Sequence, residues 1–305
     1  MENSVYHGVM SSTPGQVPGR RGNLLRQTEV LLAHKRSWSE AQRRNMASTA
    51  LTLLDRIPAQ GFCLIGLSGA PGSGKSTLAS LLSSLIQKDK PDALVISLDD
   101  YYLGKQQRIA KAGQHPLFKQ RGVPGTHDWN QLMDDLDQIC DGRIENLKLP
   151  VFSKTNDDRS PEHSISIPSA PRVVILEGWL VGAPPQEETL LPIPVNQMEA
   201  DLDEDCIWRR KVNENLARYH HDLKTRLDQC WFMKTPGWQQ VIDWRWQQEK
   251  DRYDYQHDAF LNSREKVMSF LNQFQRIASH MNDTCRQWAD VIINIDRQHR
   301  LHIDQ

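Results

Sequence analysis

The chain has 305 residues, of which 38% are hydrophobic and 25% charged, with 37 Lys plus Arg against 38 Asp plus Glu. This balance excludes a fibre or a disordered chain, and a net charge of −1 provides no global field toward nucleic acid or anionic lipid. No apolar run approaches the roughly 20 residues that span a bilayer, and the cysteines, widely spaced and in no CxxC pair, indicate neither a disulfide framework nor a zinc site.

Residues 1–23 are polar, contain Gly and Pro, and lack the basic start and apolar stretch of a secretory signal. They read as a flexible tail, and cytoplasmic residence is the expectation. Residues 24–305 read as a single domain. From Leu25 to Ile57 apolar residues recur at helical spacing around a polar break at 37–44, which predicts two helices packed on the core. Phe62 to Leu67 is a short, nearly continuous apolar run ending in glycines, the pattern of a strand buried on both faces of a parallel sheet. Leu78, Leu81, Leu82, Leu85 and Ile86 then repeat at helical intervals before a second strand at Leu94 to Leu98. The domain thus opens with a strand–helix–strand unit of the length a parallel crossover requires.

Inside that unit Gly69-Ala70-Pro71-Gly72-Ser73-Gly74-Lys75-Ser76, followed by Thr77, fits G-x-x-x-x-G-K-[ST] and lies between a buried strand and a helix. Glycines let backbone N–H groups turn inward around phosphates, and the helix N-terminus adds partial positive charge. Lys75 is placed to reach the β- and γ-phosphates and Ser76 to hold Mg²⁺. No NKxD-type guanine signature is present, so the expected nucleotide is ATP.

The second strand delivers Asp99 and Asp100 at its carboxyl end, the edge where open α/β sheets bind ligands. Either can accept the proton of an attacking hydroxyl if this strand lies close to the phosphate loop, and Asp99 is the expected base. Residues 104–171, rich in Gly, Pro and charge, are too long for a simple connection and predict an insertion of substrate loops around a short helix at 132–139. A third buried strand, Val173 to Leu176, ends in Glu177, which can orient Mg²⁺ directly or through water. Helices are predicted over 203–223, 241–255 and 264–288, and a last strand over 291–295. Trp231, Trp238, Trp244 and Trp246 read as helix packing rather than a base-stacking surface.

Several blocks in this order resemble the phosphoribulokinase/uridine kinase/pantothenate kinase superfamily of P-loop kinases, and within it the plant-type D-glycerate 3-kinases. They are 68–77, Ser97-Leu98-Asp99-Asp100-Tyr101-Tyr102, Arg121-Gly122-Val123-Pro124-Gly125-Thr126-His127-Asp128, Leu149-Pro150-Val151-Phe152-Ser153-Lys154, Leu176-Glu177-Gly178-Trp179 and Val212-Asn213-Glu214-Asn215-Leu216. The resemblance implies a three-layer α/β fold with a mostly parallel sheet of about five strands, helices on both faces, and lid and substrate loops. It makes Asp99 the counterpart of the general base and Glu177 of the metal-site acid. It puts Asp100, Tyr102, Arg121, His127, Asp128, Lys154 and Arg159 about the acceptor and assigns Arg209 and Arg210 to a phosphate-covering lid. Where related glycerate kinases tend to read Tyr-Asp-Lys-Ser, this chain reads Phe152-Ser153-Lys154-Thr155, keeping the lysine and losing a phenol and an acid.

The expected reaction is transfer of the γ-phosphate of ATP, with Mg²⁺, to a hydroxyl of D-glycerate, giving 3-phosphoglycerate. Arg121, Lys154 and Arg159 supply the positive charge that the acceptor's carboxylate requires. A nucleoside or pantothenate-like acceptor, or an ATP-binding regulator without turnover, are the competing expectations.

Overall fold

Cys63–Gly69 (β1) is buried at every position, as is Val173–Gly178 (β5), so these two strands form the middle of a sheet covered on both faces. In the computed structural model, residues 18–33, 35, 38–87, 92–251 and 262–304 are described. Among them, β1 and β5 join Ala93–Ser97 (β2), Gln229–Lys234 (β6), Val291–Ile295 (β7) and Leu301–Ile303 (β8) in the order β2-β5-β1-β6-β7-β8. The first five are parallel and β8 runs antiparallel to β7, so the sheet has six strands rather than about five. The added strands are β6, which carries Trp231 in the core rather than in a helix, and the short edge β8.

The period of two along each strand sorts the core into two layers. Leu64, Val174 and Leu176 pack with one set of helices, while Cys63, Ile65, Val173 and Ile175 pack with the other. The second layer is covered by Pro18–Leu31 (α1), Glu40–Leu54 (α2) and Lys75–Ile86 (α3). Helix α1 begins inside the segment expected to be a tail; residues 1–17 lie outside the described residues. A capping box starts α2, Ser39 accepting from the Gln42 N–H at 3.2 Å while the Gln42 side chain accepts from the Ser39 N–H at 2.8 Å.

The predicted insertion consists of Lys105–Lys111 (α4), Trp129–Cys140 (α5) and a hairpin of Lys148–Ser153 (β3) with Asp158–Ser166 (β4). Beyond β5 lie Gln197–Leu202 (α6), Ile207–Lys224 (α7), Trp238–Lys250 (α8) and Arg264–Thr284 (α9). Helix α7 covers most of the helix expected over 203–223, and the short α6 precedes it. The expected end of the 241–255 helix falls partly outside the described residues.

A buried ion network joins α6, α7 and α9. Glu199 of α6 accepts from Arg276 of α9 at 2.9 and 2.6 Å, and Arg209 of α7 donates to Asp203 at 2.8 Å. Glu199 and Arg209 are almost wholly enclosed, so removing one member leaves charge without compensation. Glu199→Ala is expected to lower the unfolding free energy by about 3–5 kcal/mol, read from the midpoint of a denaturant titration at unchanged m-value.

Candidate active site

The glycine-rich turn after β1 folds as its sequence requires. Gly72 and Gly74 have φ of 81° and 93°, and a Cβ on Gly72 would come within 3.2 Å of the Arg245 backbone nitrogen. The first ladder bond of α3 runs from the Leu78 N–H to the Gly74 carbonyl at 3.0 Å, so the N–H groups of Lys75, Ser76 and Thr77 have no acceptor within the helix. Pro71, Gly72, Gly74, Lys75, Ser76 and Thr77 line a cavity of about 730 Å³, a size that accommodates a cofactor-sized ligand. Gly69, Ala70 and Ser73 form the turn's inner side instead. The Ser73 N–H closes it on the Ala70 carbonyl, and the Ser73 carbonyl lies 3.1 Å from His299 Nε2.

Register brings the acids to this edge. Glu177 pairs with Leu67 of β1 on one side and Ser97 of β2 on the other. Strands β1 and β2 are thus not neighbours, as β5 lies between them; Asp99 nevertheless lines the same cavity as Lys75. Glu177 Oε1 accepts from Ser76 Oγ at 2.9 Å and from Ser97 Oγ at 3.1 Å, whereas its Oε2 is buried with no partner among the described residues. A buried carboxylate with one unsatisfied oxygen, touching the hydroxyl that follows the loop lysine, is a donor set that fits a divalent cation.

Lys154 Nζ donates to Asp99 Oδ2 at 2.7 Å, and Tyr102 and Asp99 line the same cavity. Burial pushes the Asp99 carboxyl up, but the ammonium groups of Lys154 and Lys75 outweigh it and hold it far below the usual carboxylate range. Burial, reinforced by the charge of Asp99, keeps the Tyr102 phenol protonated.

Arg121 also lines the cavity and is anchored on Asp157 at the turn of the β3–β4 hairpin. Its segment is held from several sides. The Thr126 hydroxyl accepts from the Gly122 N–H and donates to the Val123 carbonyl, Trp179 Nε1 donates to the Gly122 carbonyl at 2.9 Å, and the Tyr219 hydroxyl accepts from the Gly125 N–H at 3.0 Å.

Other residues expected around the acceptor do not line the cavity. Asp100 accepts from the Phe152 N–H at 3.1 Å and so fixes β3 against the end of β2. Asp128 caps α5 through the Gln131 N–H and pairs with Arg159, which also donates to the Tyr102 carbonyl at 3.0 Å. Those two residues lock the hairpin to α5. His127 lies behind Tyr102, stacked on it with ring centroids 4.5 Å apart, and neither ring nitrogen has a partner among the described residues.

Neither Arg209 nor Arg210, expected in a lid, lines the cavity. Arg209 is enclosed in the ion network, and Arg210 is exposed and paired with Glu188 at 3.1 Å. Helix α7 instead supports the loop beneath Tyr102 through Tyr219.

The far end of the cavity uses residues that sequence reading missed. Trp38 and Gln42 contribute from around the start of α2, Trp244 and Arg245 from α8, and Arg297 and His299 from the β7–β8 turn. Trp244 stacks on His299 with centroids 4.3 Å apart, and Gln42 Nε2 donates to the Gln298 carbonyl at 2.9 Å. No local motif announces them, because segments more than 200 residues apart in the chain meet there.

Burial drives the His127 pKa down to about 3, the opposing attraction of Asp99 being smaller. The unfolded chain, with an ordinary histidine near about 6.5, therefore binds a proton that the folded chain refuses across the interval between these values. Its contribution to stability is full above the unfolded pKa and is lost on acidification toward pH 3. His127→Phe is expected to remove a slope of about 1.4 kcal/mol per pH unit from unfolding free energies measured between pH 4 and 6.

No family model matches the chain. An uncharacterised kinase of Schizosaccharomyces pombe is 31% identical over 221 residues, 69% of this chain and 78% of that protein. A chloroplastic D-glycerate 3-kinase of Arabidopsis thaliana is 29% identical over 196 residues, 61% of this chain but only 41% of the plant protein. A solved D-glycerate 3-kinase from Cryptococcus neoformans superposes with a TM-score of 0.65 at 22% identity, covering 85% of this chain and 98% of that one, a likeness of fold. With its phosphate loop, its central parallel sheet and its acids along one edge, the chain belongs to the superfamily of P-loop kinases that includes the glycerate 3-kinases and pantothenate kinases.

Proposed function

We propose that this kinase transfers the γ-phosphate of ATP to a hydroxyl of a small hydroxy acid, D-glycerate being the acceptor that its relatives and its site support best. The observation that carries the reading is the shared cavity of Lys75, Asp99, Arg121 and Lys154, where a phosphate-binding turn, a carboxylate and two cations meet. Backbone N–H groups at the start of α3 and the Lys75 ammonium hold the phosphates. Ser76 and Glu177 would hold Mg²⁺, which when bound neutralises charge on the β- and γ-phosphates.

Asp99 orients the acceptor hydroxyl and takes its proton as the oxygen bonds to the γ-phosphorus. The bond from that phosphorus to the β,γ-bridging oxygen breaks, and ADP leaves with the electron pair. Arg121 and Lys154 supply the positive charge for a carboxylate. That requirement favours a hydroxy acid over a nucleoside, which has no such group.

Incubation with MgATP and a mixture of D-glycerate, pantothenate and uridine, followed by mass analysis, is expected to give phosphoglycerate as the main product. Preferred phosphorylation of uridine or pantothenate, or no transfer at all, would overturn the assignment. Asp99→Asn is expected to lower kcat by about 10²–10⁴-fold, with ATP affinity, measured by calorimetry, retained.

A further inference from the structure

Lys154 and Asp99 form a pair inside the proposed acceptor site that is poorly arranged for catalysis as it stands. An ammonium 2.7 Å from Oδ2 occupies one oxygen of the base and lowers its affinity for a proton. The surroundings are unequal in mobility. The hairpin turn carrying Lys154 is fixed, with Asp157 bound by Arg108 and Arg121, Asp158 accepting from the Lys105 N–H at 2.9 Å, and Ser153 Oγ accepting from the Asn156 N–H. Lys154 itself is 55% exposed at the end of a flexible stem, and exposed ion pairs of this kind exchange partners readily. Arg121, clamped on Asp157 and lying over the Phe152 ring, lacks that freedom.

We infer that Lys154 is a selector for anionic acceptors: the substrate's carboxylate takes the ammonium from Asp99, so that only an acceptor bearing a negative charge uncovers the base. This inference rests on the hydroxy-acid kinase reading given above. A neutral alcohol, or water, has nothing with which to displace the lysine, so Asp99 stays covered and the phosphoryl group is spared from hydrolysis. The Asp99 carboxyl, held far down by the two ammonium groups, becomes more basic as Lys154 leaves and as Lys75 turns to the phosphates.

The test compares D-glycerate with glycerol, its uncharged analogue, as acceptors for the wild type, Lys154→Gln and Lys154→Arg, together with acceptor-free ATP hydrolysis. The wild type is expected to favour glycerate by about a hundredfold or more in kcat/KM. Lys154→Gln should reduce that preference at least about tenfold, chiefly by raising the KM for glycerate, and should increase acceptor-free hydrolysis. Lys154→Arg, which keeps the charge on a long stem, should retain most of the preference. An undiminished preference for glycerate in Lys154→Gln, or hydrolysis no faster than in the wild type, overturns this inference and leaves the acceptor assignment standing. Phosphorylation of uridine with glycerate ignored by the wild type overturns both.

Discussion

Glu177 is buried at the carboxyl end of β5, with one strand of the site on each side, and the architecture of the active edge depends on keeping it there. A carboxylate taken out of water must be hydrogen-bonded or bound to a cation. Ser76 from the phosphate loop helix and Ser97 from β2 both donate to one of its oxygens, so a single acid joins the two elements that carry Lys75 and Asp99. The other oxygen has no partner among the described residues, which leaves the capacity that a cation would use. Because β5 separates β1 from β2, their loops stand apart at this edge, and the cavity opens between them.

Around this centre the insertion acts as scaffolding. Asp100 holds β3, Arg159 ties the hairpin to α5, and the turn from Arg121 to Asp128 is secured by Trp179 and Tyr219. Polar side chains that look like substrate ligands in a linear reading are therefore engaged with each other. What they achieve is to present two cations, Arg121 and Lys154, at the cavity wall while Tyr102 and the neutral His127 form its backing. Catalysis by positioning and electrostatics needs this kind of rigid support more than it needs a large number of contacts.

Two sorts of ion pair serve opposite purposes in this chain. The network of Glu199, Arg276, Arg209 and Asp203 is enclosed, and its partners cannot be exchanged without loss of packing. The pair of Lys154 and Asp99 is partly open to solvent, and its partners can change. Burial decides which charge is structural and which is available to a ligand, and it places Arg209 among the structural ones.

The central layer, the phosphate loop and the strand-end acids were legible from the residues alone. Continuous apolar runs, the G-x-x-x-x-G-K-[ST] spacing and a carboxylate at a strand terminus are local patterns with local physical causes. Strand β6 was less so, because its tryptophan resembles those of the following helix and β propensity depends on what the side chain packs against. Tertiary structure alone decided that β5 lies between β1 and β2, that Arg159 and Asp128 face each other, and that His299 reaches the phosphate loop from the end of the chain. These facts turn on strand order and long-range pairing, in which residues far apart in the chain compete for the same partners, and a linear pattern of side chains does not encode which competitor wins.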